Sequence, residues 1–137
     1  MDWKLEVVLV PVSDVDRAKA FYTEKLGFNQ DLEVTQSEDV AFAQLTPPGS
    51  GCSITVEKGL VDMQPGSLQG LQLVVSDIHA AHRQLVERGV EVSEIRTYDR
   101  EAASWRPLEG QPEQWNAFVF FEDPDGNGWV VQQGPVD

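Results

Sequence analysis

The stretch Asp123–Gly134, DPDGNGWVVQQG, sets oxygen-bearing side chains at alternate positions, as a calcium-binding loop does at its start. Counted from Asp123, positions 1, 3, 5 and 6 are Asp123, Asp125, Asn127 and Gly128, all of which fit an EF-hand. Position 12 must be a bidentate Glu, and it is Gly134. The flanks AFVFF and WVVQQ read as strands, where an EF-hand needs helices. The stretch is therefore expected to be a tight β-turn. Pro124 presets φ, Gly126 or Asn127 takes positive φ, and the Asp side chains bond local backbone.

Other residues capable of chemistry lack the partners that chemistry needs. Cys52 is the single cysteine, so it forms no internal disulfide and builds no zinc knuckle, and no His neighbours it in sequence to activate a thiolate. His79 and His82 lie three apart on one face of a predicted helix, where solvated side chains are the plainer reading than a metal pair. PPGSG, residues 47–51, leads into a strand instead of a helix, so no phosphate cradle follows. There is no GxSxG, Walker loop or GxGxxG. Glu57 or Glu122 has the chemistry of a general base, but nothing marks a pair.

The elements that position these residues are written twice. VSDVDRAKAFYTEKLGF, residues 12–28, has Ser13 or Asp14 to cap a helix and Val15, Ala18, Tyr22 and Leu26 along one face. VSDIHAAHRQLVERGVEV, residues 75–92, repeats this with Ser76 or Asp77, then Ile78, Ala81 and Leu85, and Gly89 as the stop. The equivalent residues stand 63 apart, and a β-rich run precedes each helix. FAQLTPPGSGCSITV aligns with FVFFEDPDGNGWVVQQ at an offset of 77, so the second half carries 14 extra residues. Each half therefore predicts strand, helix and further strands joined by a Pro-Gly turn. The insertion falls in Arg96–Trp115, expected to be a long loop, functional or mobile, in which at least one of Trp105 and Trp115 packs on the core, a ligand or a second subunit.

A chain of 137 residues fits one domain of two similar halves, with modules of about 1–62 and 63–137. The net charge of −13, from 23 acids and 10 bases, argues against nucleic acid; a well-solvated acidic surface is its plainer reading, and long-range steering of a cationic ligand the other. No apolar run reaches membrane-spanning length and no signal-peptide pattern opens the chain, so a soluble, cytoplasmic protein without a membrane partner is expected.

The paired helix starts together with FEDPDGNGWVVQQ resemble the vicinal oxygen chelate superfamily, which includes glyoxalases, bleomycin-resistance proteins and extradiol dioxygenases. The resemblance implies an α+β fold of two βαβββ modules forming a curled mixed sheet with a cup-shaped pocket, the helices packing outside it, and a homodimer. It also implies, in metal-dependent members, ligands at four positions that here hold Val7, Ser53, Gly70 and Val130. Val and Gly side chains offer no donor and a lone Ser is a poor ligand, so no metal and no cofactor is expected. Two residues further on, on the same strand faces, stand Leu9, Thr55, Gln72 and Gln132, expected with Trp105 and Trp115 to line a small-molecule site. The resulting expectation is a metal-independent binding protein that sequesters or carries a small cationic or aromatic ligand. The alternative is a glyoxalase-like lyase, isomerase or dioxygenase with a displaced ligand set.

Overall fold

Two aspartates start the two helices. Asp14 Oδ1 accepts the Arg17 N–H at 3.0 Å and Asp77 Oδ1 accepts the Ala80 N–H at 3.1 Å, each satisfying a donor that the first helical turn leaves over. The computed structural model in which these caps are seen describes residues 1–135; residues 136 and 137, the tail of the second predicted module, lie outside it. The chain folds as two compact units, Met1–Leu68 with Asp123–Asn127, and Gln69–Glu122 with the chain from Gly128.

In the first unit β1 (Val7–Pro11) leads into α1 (Val15–Ala20), followed by β2 (Asn29–Thr35), β3 (Ala41–Thr46) and β4 (Ser53–Lys58). The last turn of the helix, Phe21–Lys25, widens to an i→i+5 pattern, with the Leu26 N–H reaching Phe21 O at 3.4 Å. The sheet order is β1-β4-β3-β2, with β1 parallel to β4 and the other pairs antiparallel. Strand alternation puts Val10, Ala43, Leu45, Ile54 and Val56 on the face that meets α1. These residues are buried with Val15, Ala18 and Tyr22, the helical stripe read from the sequence.

In the second unit β5 (Leu71–Val75) precedes α2 (Ile78–Glu87), then β6 (Arg96–Asp99), β7 (Ser104–Pro107), β8 (Phe118–Glu122) and β9 (Gly128–Gln133). The order is β5-β9-β8-β6-β7, with β5 parallel to β9. Ile78, Leu85, Val119, Phe121, Trp129 and Val131 form its core. Phe121 and Trp129, direct partners in register, stack at 6.1 Å with an interplanar angle of 2°. Gly89, at φ +80, ends α2 as predicted.

The structure corrects one expectation here. Arg96–Trp115 is not a loop throughout: its first part forms the hairpin β6–β7, and β7 is a fifth strand that the first unit lacks. Asp99 makes this turn, its Oδ1 accepting the N–H groups of Glu101 (3.0 Å) and Ala102 (3.1 Å). Strands of four residues, half charged or Pro, carry too little alternation to be read in advance.

The Pro-Gly turn at 123–127 is the β-turn the sequence predicts, with Gly126 at φ +100. Asp123 Oδ1 accepts the N–H groups of Asp125 and Asn127, both at 2.9 Å, which is the local fastening expected. Its other oxygen takes the Tyr22 hydroxyl at 2.7 Å and Asn127 Nδ2 at 2.8 Å. Asp125 holds the Ser13 hydroxyl at 2.6 Å and Arg17 Nη2 at 3.2 Å. The turn is thus built into the first unit through the start of its helix, and its oxygens are engaged there.

On the outer surface Lys19 Nζ pairs with Glu33 Oε2 at 2.7 Å, tying α1 to β2. The hydrogen bond from Lys19 holds the Glu33 carboxyl below the ordinary carboxylate value, and the same bond raises the Lys19 ammonium. A depressed carboxyl contributes stability that is present above its unfolded value and lost as pH falls through its folded one. The raised ammonium contributes stability that is lost as pH rises through its own folded value. Both side chains are solvated, so the effect is small. Glu33→Gln should slightly flatten the fall in urea midpoint on acidification; an unchanged acid slope would show that the pair contributes nothing.

Candidate ligand-binding site

Residues on strands alternate between the helix-packed face and the opposite one, and direct partners share a face. On the first unit's helix-free face this produces the cross-strand row Leu9–Thr55–Gln44–Leu32. Two of the sequence-predicted residues, Leu9 and Thr55, are direct partners in that row. Phe42, Val34 and Glu57 stand in the next row. Glu57 is buried and its Oε2 accepts the Leu60 N–H at 2.9 Å, so it fastens the turn after β4.

The second unit's helix-free face carries Gln72 and Val74 from β5, Val130 and Gln132 from β9, and Phe118 and Phe120 from β8. Gln72 Nε2 donates to Gln132 Oε1 at 2.5 Å, and Gln132 Nε2 donates to the Trp115 carbonyl at 2.9 Å. The two glutamines are therefore joined on one face, and Gln132 spends its amide on both neighbours. Trp115 sits at φ +69, an uncommon conformation for a bulky residue. Its N–H donates to Gln133 O at 2.8 Å, so two bonds to β9 hold it there, with its ring half-exposed.

Trp105 belongs to β7 and lies against an aromatic group. Its ring is 5.1 Å from Tyr98, 5.2 Å from Phe118 and 5.2 Å from Phe120, edge-on to each. It remains 47% exposed. The Arg96 guanidinium lies over Phe120 at 5.7 Å. Reasoning from the sequence missed Tyr98, Phe118, Phe120 and Arg96. The parity of FVFF carried the signal for the two phenylalanines: Phe118 faces Gln132 and Phe120 faces Val130.

At the four positions where the resemblance implies metal ligands, the residues present do not fit a divalent ion. Val7 and Val130 have no donor, Gly70 precedes β5 at φ +83, and Ser53 Oγ is spent on Thr46 Oγ at 2.6 Å. Among the described residues no group of three His, Cys, Asp or Glu side chains comes together in a way that could hold a metal. His79 and His82 stay on α2, His79 exposed. Among the described residues no helix is long and apolar enough to cross a membrane.

The family model described as the Glyoxalase/Bleomycin resistance protein/Dioxygenase superfamily matches residues 4–131. Among solved structures, TnmS3, an antibiotic binding protein from Streptomyces sp. CB03234, is 30% identical, with 97% of each chain covered and a TM-score of 0.75. A glyoxalase/bleomycin resistance protein from the same organism is 31% identical, covering 95% of this chain and 100% of its own, with a TM-score of 0.71. Among curated proteins, the uncharacterized YetH of Bacillus subtilis (strain 168) is 26% identical over 95% of this chain and 98% of its own.

Proposed function

The chain belongs to the Glyoxalase/Bleomycin resistance protein/Dioxygenase superfamily, and from that premise we propose that it binds a small aromatic molecule without a metal, to sequester or carry it. The observation that carries this reading is the second unit's helix-free face. There Trp105 stands half-exposed against Tyr98, Phe118 and Phe120, and Gln72, whose amide oxygen has no partner among the described residues, supplies an acceptor on the same face. Such a mixture of rigid aromatic surface and a few placed polar groups suits a flat organic ligand. The antibiotic-binding activity named for TnmS3 supports the same class of function. Val7 and Val130, where metal-dependent relatives need donors, support metal independence.

Elemental analysis of protein purified without chelators tests the metal clause. We expect far less than one divalent ion per chain. A stoichiometric ion retained through dialysis would overturn it.

A further inference from the structure

The acidic chain would steer a cation toward it at long range, yet the charge built into the aromatic face is positive. Arg96, from β6, is the direct partner of Phe118 and lies over the Phe120 ring. Its Nε is 3.6 Å from Glu94 Oε1, too far for a hydrogen bond, and both side chains are solvated, 39% and 59% exposed. No other hydrogen bond or ion pair engages its guanidinium among the described residues. A planar group with donors unspent therefore stands over one ring, 5.7 Å from its centroid, beside Trp105, which packs edge-on against the same Phe120. Strand parity places Tyr98 and Pro107 beside it on that face, both uncharged. Glu122 lies at the far end of β8, paired with Gly128.

We infer that this face selects a planar aromatic acid, the ring packing on Trp105 and a carboxylate, or another anionic oxygen of like geometry, taking the Arg96 fork. The chemistry favours this over a cationic ligand for two reasons. Guanidinium and carboxylate match as two parallel N–H···O bonds, and the pair is charge-assisted. A cationic ligand on the same aromatic group would face Arg96 as a like charge at close range, which costs more than the solvated Glu94 beside Arg96 and the more distant acids return through a screened solvent. The inference rests on the binding reading proposed above and adds the sign of the ligand's charge.

Three compounds that share one ring system and differ in charge test it: 2-naphthoate, 2-naphthalenemethanol and 2-naphthylmethylamine, titrated into the full chain by calorimetry. The expected order is naphthoate tightest, by about tenfold over the alcohol, the amine weakest. Arg96→Gln should abolish the preference of naphthoate over the alcohol, the affinity ratio of the two falling to about one whatever change the alcohol itself undergoes. Arg96→Lys, which keeps the charge but not the fork, should recover only part of the preference. Far-UV circular dichroism checks that each variant is folded. If the alcohol binds and naphthoate is no tighter, or if Arg96→Gln leaves the order intact, the charge selection is wrong while the aromatic site stands. If none of the three binds, both the inference and the reading beneath it fall.

Discussion

Asn127→Ala is expected to destabilise the protein by about 3 kcal/mol, the cost of stranding buried polar groups. The side chain is fully buried and serves three partners at once. Nδ2 donates to the Pro11 carbonyl at 2.9 Å and to Asp123 Oδ2 at 2.8 Å, while Oδ1 accepts the Leu68 N–H at 3.1 Å. Alanine leaves a carbonyl, an N–H and part of a carboxylate without partners, in a place that water does not readily reach. The same site forbids simple relaxation. A Cβ added at Gly66 would meet Asp125 O at 2.0 Å, so the loop before β5 already lies hard against the turn. Asp125→Ala should cost less, about 1 kcal/mol, because Arg17, one of its two partners, is half solvated and regains water. Urea unfolding measures both. Asn127→Ala within 0.5 kcal/mol of wild type, a threshold set by ordinary surface changes, would contradict a structural role for the turn.

Trp105→Ala is expected to weaken binding of the aromatic alcohol and the aromatic acid alike, by about 30-fold, the scale of a central aromatic anchor. The ring presents area at low entropic cost because three neighbouring rings already fix it. Since it is half-exposed on an edge strand, its removal should lower stability by only about 1 kcal/mol, leaving a folded protein to titrate. Trp105→Phe should restore most of the affinity. Equal loss in all variants, Phe included, would indicate that β7 had been displaced and not that the ring contacts ligand; undiminished binding in the Ala variant would place the ligand elsewhere.

Much of the scaffold was legible in the sequence. Asp14 and Asp77 cap, and Val15, Ala18, Tyr22 and Ile78, Leu85 are buried, because the helical period and the burial requirement coincide over more than two turns. The hairpin β6–β7 was not legible, since four-residue strands give no period and its turn depends on an Asp side chain and on Ala103 at φ +51. Nor was the integration of the 123–127 turn into the first unit, which depends on pairs more than a hundred residues apart, such as Tyr22 with Asp123 and Pro11 with Asn127. These bonds leave no local pattern. Of the candidate site, the shared face of Gln72 and Gln132 follows from strand parity, whereas their hydrogen bond does not, because Gln72 stands opposite Val130 and Gln132 opposite Val74. Arg96 could be placed on that face only once β6 was known to pair with β8 through Phe118. The sequence marks Trp115 as a tryptophan of the insertion, and the bonds its backbone makes to β9 fix its position by main-chain geometry that composition does not reveal.

The central claim is binding without a metal, and calorimetric titration of the chelator-treated chain with 2-naphthoate tests it most directly. The account predicts one ligand per chain, with an affinity that stays the same when zinc, nickel or manganese is returned in excess. Binding that appears only after a divalent ion is added back would contradict it.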